Sequence, residues 1–207
     1  MSAPHEMSEA LELLKKSGAY LEGHFLLTSG LHSPAYIEKF ELLQHPDYCD
    51  KFCETIAESF ADTPFTVVLG PAIGGIILAY GVARARGKGT RGIFMEREEG
   101  QLKLRRGFQI HENDRILVVE DVVTTGKSVF EVWDALGEQD QKKVVGLGYL
   151  IDRSGGKVVF PMKSIPVLAI DLPTYSPESC PLCAKGVPLT KRGSRQGGGM
   201  DASRKIS

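Results

Sequence analysis

Two adjacent carboxylates, Glu120 and Asp121, are the side chains in this sequence best suited to bind hydroxyl groups or a divalent cation. They follow Ile116–Val119, a continuous aliphatic run typical of a strand buried on both faces of a parallel sheet. Ligands of open α/β sheets bind just outside the carboxyl ends of such strands. We therefore expect this acidic pair to lie in a ligand site.

The next segment, Thr124–Ser128, has the composition of a phosphate-binding loop. It combines small residues, hydroxyls and one glycine, and a helical pattern follows it through Val129 and Leu136. Backbone N–H groups at such a helix start, aided by the helix dipole, bind phosphate. Ser128 and Glu131 fit a capping box, which also predicts a helix start nearby. Together these features predict a site for a phosphorylated sugar, with ribose hydroxyls on the carboxylates, directly or through a divalent metal.

Two alternatives compete with this interpretation. Gly126, Lys127 and Ser128 match the end of a nucleotide-binding P-loop, but that motif needs a glycine where this sequence has Asp121, whose carboxylate would repel phosphates. The other alternative is an ordinary buried strand that ends in a solvated acidic turn. The phosphate-loop sequence directly after the acidic pair favours a ligand site over that alternative.

Two segments that lie far apart in the chain resemble one known family. Val118–Ser128, VVEDVVTTGKS, resembles the phosphoribosyl pyrophosphate (PRPP) motif of type I phosphoribosyltransferases. Gly23–Tyr36, with the pattern G-H-F-x-L-x-S-G-x-x-S-P-x-Y, is similar to the hood of the orotate phosphoribosyltransferases, which covers the pyrimidine. The resemblance implies an α/β fold with a central, mainly parallel sheet flanked by helices and a small N-terminal hood. The alternation of strand and helix patterns along the chain also favours an α/β fold.

The resemblance implies roles for the residues of both motifs. Glu120 and Asp121 would orient the ribose and count as catalytic. Tyr36 would offer a ring face to the base, although a core aromatic explains a single tyrosine equally well. Many members carry a lysine where this chain has Thr28, which supplies no charge. The implied substrate-binding residues of the PRPP motif are Glu120, Asp121, Val122, Val123, Thr124, Thr125, Gly126, Lys127 and Ser128.

A strongly charged segment, Glu96–Arg106, would by itself be interpreted as a solvated loop. In the family a mobile loop at this position closes over the active site and brings basic residues to pyrophosphate, often from the neighbouring subunit. The resemblance therefore implies a homodimer, with Arg97 binding substrate and Lys103 as the catalytic lysine. Arg105 and Arg106 remain alternatives to Lys103.

Two further turns follow predicted strands. Gly70–Gly75 is either an anion-binding turn or a tight turn that needs small residues for packing. In the family it contacts pyrophosphate, in some members through a lysine where this chain has Gly74. Arg153 follows another strand and could clamp a carboxylate, or form a surface pair with Asp152. The resemblance implies that Arg153 and Thr124 hold orotate, which favours orotate over a purine base.

The four cysteines allow two interpretations. Cys180 and Cys183 form a C-x-x-C motif, but a zinc site with four ligands needs two partners. Cys49 and Cys53, on a predicted helix over 45–62, would complete it only if the fold brought them close. Reduced cysteines of the core or its boundary are the favoured interpretation, so no metal-binding residues are assigned.

Length and composition predict one substantial core with a small appended unit, because the chain has 207 residues of which 42% are hydrophobic. We expect a first helix and hood over 1–40, a core over 41–175 and a C-terminal segment over 176–207 that ends in a disordered tail. A formal net charge of −1 argues against a general nucleic-acid binder. No signal peptide or membrane-spanning run is evident, which predicts a cytoplasmic protein.

The resemblance thus implies an enzyme that converts orotate and PRPP into orotidine 5′-monophosphate and pyrophosphate, with Mg²⁺, in the biosynthesis of UMP. The alternatives are a phosphoribosyltransferase for another base and a PRPP-sensing regulator without turnover. A regulator should bind nucleic acid, for which the basic tail is only a weak footprint. That tail contains Lys185, Lys191, Arg192 and Arg195.

Overall fold

The computed structural model describes residues 4–192, with side chains from Glu9 onward, so Arg195 and most of the predicted disordered tail lie outside the described residues. Strands and helices alternate along most of the chain. The strands are β1 (Tyr20–Leu26), β2 (His32–Ile37), β3 (Val67–Pro71), β4 (Arg91–Glu98), β5 (Gln101–Leu104), β6 (Ile116–Val123), β7 (Val144–Asp152), β8 (Ser164–Ala169) and β9 (Thr190–Lys191). The helices are α1 (Pro4–Lys16), α2 (Lys39–Leu43), α3 (Pro46–Ser59), α4 (Gly74–Arg86), α5 (Lys127–Gln141) and α6 (Pro181–Ala184).

The main sheet has six strands in the order β5-β4-β3-β6-β7-β8. All neighbouring strands are parallel except β5, which runs antiparallel to β4. The predicted α/β class with a mainly parallel central sheet is confirmed. Because β6 lies between β3 and β7, the carboxyl ends of these three strands meet at one edge of the sheet, where parallel sheets bind ligands.

Side chains of β3, β4, β6 and β7 fill the core on one side of the sheet together with Val129, Val132 and Leu136 of α5. On β7, two glycines allow close approach of α3 and of Phe60, which follows it. A Cβ atom at Gly146 would lie 2.3 Å from Phe60 Cε1, and one at Gly148 would lie 2.5 Å from Ile56 Cγ2. Each large side chain buried here contributes about 1.5–3 kcal/mol, which holds the helices on the sheet that carries the site.

The chain divides into two compact units. The larger comprises the residues up to Tyr20 and Ile37–Asp171, and it contains the six-stranded sheet. The smaller comprises Leu21–Tyr36 and, of the described residues, 172–192. It is built around a three-stranded sheet in the order β2-β1-β9. No helix in the described part of the chain is long and apolar enough to cross a membrane.

Candidate active site

A cleft of about 240 Å³ lies at the carboxyl ends of β3 and β6. A larger cleft of about 550 Å³ lies beside α1 and α3, but none of the predicted site residues lines it. The smaller cleft is the chemically relevant one, because it collects the acidic pair and the start of the predicted phosphate loop. Its lining residues are Lys39, Pro71, Ala72, Ile73, Arg97, Leu102, Glu120, Asp121, Val122, Thr124 and Ser128.

Glu120 has an unused acceptor atom at this cleft. Its side chain is buried, and Oε1 accepts a hydrogen bond of 2.9 Å from the backbone N–H of Asp121. Oε2 is buried and has no hydrogen-bond partner among the described residues. Burial, followed by the negative charge of Asp121, raises the pKa of Glu120 to about 8. A hydroxyl donor or a cation in the cleft would satisfy this oxygen.

Asp121 is buried like its neighbour but is fully paired. Oδ1 accepts a hydrogen bond of 2.7 Å from the backbone N–H of Val122, and Oδ2 lies 2.6 Å from Nζ of Lys39. Sequence reasoning missed Lys39, which lies three residues after the hood pattern and belongs to no motif that the sequence shows. Its ammonium group offsets part of the negative charge of the acidic pair.

The turn between β3 and α4 lies against this pair. A Cβ atom at Gly74 would lie 2.0 Å from Asp121 Oδ2, so no larger residue fits there without moving the carboxylate. A Cβ atom at Gly70 would lie 2.2 Å from the carbonyl oxygen of Gly75. The tight-packing interpretation of these glycines therefore agrees with the structure. The peptide bond between Ala72 and Ile73, which both line the cleft, is cis.

The predicted phosphate loop joins β6 to α5. Thr124 and Thr125 are exposed, and Gly126 adopts a left-handed conformation with φ of 73° at the N-cap position. The first turn of α5 leaves backbone N–H groups without intrahelical partners, as an anion site requires. The predicted helix start is confirmed, but the capping box is wrong: the cap is Gly126, without a side-chain hydrogen bond, and Ser128 already lies inside the helix.

The carboxylate of Glu131 forms ion pairs instead of the predicted cap. It lies within ion-pair distance of the guanidinium of Arg97 and 3.8 Å from Nζ of Lys127. Arg97 also donates a hydrogen bond of 2.8 Å from Nη1 to the carbonyl oxygen of Gly100, and it lines the cleft. The contacts with Glu131 and Gly100 orient Arg97, a predicted substrate-binding residue, at the side of the cleft.

The charged segment 96–106 is a β-hairpin over most of its length rather than an irregular loop. β4 continues to Glu98, and β5 returns after a turn at Glu99 and Gly100, both with positive φ. Charge composition hid this hairpin, because only β5, Gln101–Leu104, shows the alternation of polar and apolar side chains that suits a strand with one exposed face.

The candidate basic residues of this hairpin form ion pairs with its own carboxylates. Lys103 Nζ lies 3.0 Å from Glu98 Oε2, and Arg106 Nε lies 2.9 Å from Glu96 Oε1. Arg105 contacts both carboxylates at 3.2 Å or more. None of these three basic residues lines the cleft within the described chain, so a catalytic role for Lys103 stays a prediction.

Arg153 follows directly after β7. Its backbone N–H donates a hydrogen bond of 2.8 Å to the carbonyl oxygen of Val123, which places it next to the start of the phosphate loop. Asp152 is buried and accepts hydrogen bonds from both the backbone N–H and the hydroxyl of Ser154, at 2.7 Å and 2.6 Å. Asp152 is therefore buried and shapes the turn, and both the carboxylate clamp by Arg153 and its pairing with Asp152 stay predictions.

Tyr149 packs beneath this turn. Its hydroxyl donates to Asp152 Oδ2 at 3.4 Å, and burial raises the pKa of Tyr149 to about 12. Tyr36, the predicted base-stacking residue, belongs to the smaller unit, where its ring centroid lies 5.6 Å from that of Phe25. This packing agrees with a core role, and contact of Tyr36 with a base stays a prediction.

Solved structures share the fold. The orotate phosphoribosyltransferase of Mycobacterium tuberculosis H37Rv in complex with Fe(III) dicitrate has a TM-score of 0.62 and 22% identity, covering 80% of this chain and 97% of that chain. The same enzyme in complex with PRPP has a TM-score of 0.57 and 20% identity, covering 82% of this chain and 92% of that chain. At this identity the likeness establishes the fold alone.

Sequence comparisons establish the family. Residues 39–165 match the model of the phosphoribosyl transferase domain. The orotate phosphoribosyltransferase of Pelotomaculum thermopropionicum is 48% identical over 188 residues, which cover 91% of this chain and 97% of the relative. That of Thermoanaerobacter sp. (strain X514) is 49% identical over 191 residues, covering 92% and 99%. A chain that matches these relatives over nearly their whole length, on a type I phosphoribosyltransferase fold, belongs to the orotate phosphoribosyltransferase family.

Proposed function

We propose that this protein transfers the 5-phosphoribosyl group from PRPP to orotate, giving orotidine 5′-monophosphate and pyrophosphate, as a cytoplasmic enzyme of UMP biosynthesis. The observation that carries the proposal is the near-full-length identity of 48–49% with relatives named orotate phosphoribosyltransferase. The cleft supports it, because an unsatisfied buried carboxylate oxygen lies beside a helix start suited to phosphate.

The reaction needs no covalent nucleophile. Phosphoribosyl transfer passes through positive charge on the ribose ring, so catalysis lies in positioning the substrates and in neutralising the departing pyrophosphate. Ribose hydroxyls donate to Glu120 Oε2 and to the carboxylate of Asp121, which hold the sugar in the cleft. Backbone N–H groups and hydroxyls of Thr124–Ser128 hold the 5′-phosphate.

Mg²⁺ fits the donor set of this cleft. Magnesium prefers oxygen ligands from one or two carboxylates together with substrate phosphates and water. Glu120 Oε2 offers such an oxygen, with the carboxylate of Asp121 beside it. When bound, the ion would neutralise charge on the pyrophosphate oxygens. Arg97 lies at the same cleft, where its guanidinium would bind the same group.

Arg153 and Thr124 form the proposed orotate subsite. The hydrogen bond from Arg153 N–H to Val123 ties the arginine to the residue that precedes Thr124. A guanidinium binds a carboxylate through two parallel hydrogen bonds, and orotate carries a carboxylate that uracil, adenine and hypoxanthine lack. We therefore assign the choice of base to Arg153.

We also propose a homodimer in which the β4–β5 hairpin carries Lys103 to the active site of the neighbouring subunit. The support is geometric. Leu102 lines the cleft of its own chain, whereas the adjacent Lys103 does not and, by strand alternation, lies on the opposite face of β5.

The test is orotate consumption by the purified protein with PRPP and Mg²⁺, beside Arg153→Ala and a control, Arg86→Ala, on the far end of α4. We expect turnover by the parent and the control, and a loss of about 100-fold or more in kcat/KM for orotate in Arg153→Ala, because a charged hydrogen-bonded pair is removed. Adenine, hypoxanthine and uracil serve as competing acceptors. PRPP binding without turnover of any base would instead support the regulator alternative.

A further inference from the structure

The smaller unit contains a cluster of metal-ligand side chains that the proposed transferase reaction does not use. His24 of β1, His32 of β2, Cys180 and Cys183 each direct one potential ligand atom to a common point. All four ligand atoms lie within 4.8 Å of one another. His24, His32 and Cys180 are buried, and both cysteines are free thiols.

The distances between these atoms are close to those of a tetrahedral metal site. His24 Nε2 lies 3.0 Å from His32 Nδ1 and 3.5 Å from Cys180 Sγ. Cys183 Sγ lies 3.2 Å from His32 Nδ1 and 3.7 Å from His24 Nε2. Tetrahedral zinc, with bonds of about 2.0–2.1 Å to nitrogen and about 2.3 Å to sulfur, separates its ligands by about 3.3–3.8 Å.

A second contact orients His24 for ligation. Its Nδ1 lies 2.8 Å from the carbonyl oxygen of Val187. A carbonyl can only accept, so Nδ1 carries the proton and Nε2 presents its lone pair to the cluster. A hydrogen bond from the distal ring nitrogen to a carbonyl is the usual outer contact of a metal-bound histidine, since it fixes the ring and its tautomer.

We propose that His24, His32, Cys180 and Cys183 bind one structural zinc ion. Two thiolates and two imidazoles suit zinc, whereas Mg²⁺ prefers oxygen ligands, so this site is chemically distinct from that of the proposed transferase. The partners of the C-x-x-C motif are thus the two histidines. Cys49 and Cys53 contact each other instead, with 4.0 Å between their sulfur atoms in α3.

The ion would fasten the C-terminal segment to the β1–β2 hairpin. Apart from the ion, the links described between the hairpin and the C-terminal part of the chain include the His24–Val187 hydrogen bond, a β-bridge between His32 and Tyr175, and the short pairing of β1 with β9. Units of this size rarely build a sufficient hydrophobic core and use a metal or disulfides as staples. Four protein ligands leave no open position, so the ion has a structural role.

The test is the metal content of the full chain, purified without chelator and under reducing conditions. We expect about one zinc per chain in the parent, because four preformed ligands bind zinc tightly. Cys180→Ala/Cys183→Ala should lose the zinc, and the matched control Cys49→Ala/Cys53→Ala should retain it. Zinc retained by the first variant, or its absence from a parent given excess Zn²⁺, would overturn the proposal.

A second measurement needs no substitution. Zinc is stripped from the parent with a chelator at mildly acidic pH, and Co²⁺ is added in its place. We expect the strong visible absorption of tetrahedral cobalt with thiolate charge-transfer bands, and faster proteolysis of the stripped protein within 21–36 and 172–192. A weak octahedral cobalt spectrum, or a Cys180–Cys183 disulfide found by mass in the protein as purified, would contradict the zinc site.

Discussion

Replacing Glu120 by glutamine should change the pH dependence of stability in a way that follows from the burial of its carboxyl. Burial raises the pKa of Glu120 from 4.5 to about 8 in the folded protein. Between these two values the unfolded chain has released the proton and the folded chain has kept it. The folded state therefore binds more protons, and the free energy of unfolding falls as the pH rises.

The size of the effect follows from the same two pKa values. A rise from 4.5 to about 8 corresponds to about 5 kcal/mol in all. About 4 kcal/mol of this falls between about pH 5 and about pH 8.5. Glutamine does not titrate, so the free energy of unfolding of Glu120→Gln should not fall by this amount as the pH rises. The cost of burying an unpaired amide, about 1–3 kcal/mol, is the same at both pH values and cancels in the comparison.

The assay is urea unfolding of the parent and Glu120→Gln at both pH values, with extrapolation to zero denaturant. We expect the variant to gain about 4 kcal/mol relative to the parent on going from the lower to the higher pH. The control is Glu112→Gln, whose exposed carboxyl should leave the curve of the parent unchanged. Calorimetry above about pH 8.5, where the carboxyl is mostly ionised, should also show weaker PRPP binding by Glu120→Gln, since an amide nitrogen replaces an acceptor oxygen.

Parallel pH profiles for the parent and Glu120→Gln would refute this reasoning. They would mean that the carboxyl ionises in the folded state without cost. Burial of the carboxyl would then not raise the pKa of Glu120.

Two further predictions concern the same cleft. Gly74→Ala should lower kcat/KM for PRPP by about 100-fold or more, because the added Cβ would lie 2.0 Å from Asp121 Oδ2 and displace a carboxylate that positions the ribose. Steady-state kinetics measure this loss, and values like those of the parent would contradict the prediction. If Lys103 acts in the neighbouring subunit, mixing the inactive variants Lys103→Ala and Asp121→Asn should restore about a quarter of the parent activity. Half of the dimers would contain one copy of each variant, and in each of these one of the two sites would have both Lys103 and Asp121. Activity that stays absent in a verified mixed dimer would place Lys103 in its own subunit's site.

The sequence by itself determined the centre of the molecule. Ile116–Ser128 is one continuous segment in which the strand, the acidic pair and the phosphate loop follow each other, so local patterns were sufficient to predict it. The same local reasoning went wrong at Ser128, because the left-handed Gly126 takes the cap position. At 96–106 charge composition pointed to a loop, although Glu99-Gly100, with positive φ at both residues, is the kind of turn that hairpins use.

Tertiary structure alone decided which distant side chains share a site. Lys39 contacts Asp121 because α2 and the end of β6 border the same cleft. The sequence pattern of neither segment predicts that contact. The C-x-x-C motif was visible in the sequence, but its partners were not. His24 and His32 join Cys180 and Cys183 only through the folding of the β1–β2 hairpin with the C-terminal segment. Periodicity and turn chemistry act between near neighbours in the chain, whereas a ligand cluster depends on how remote segments pack.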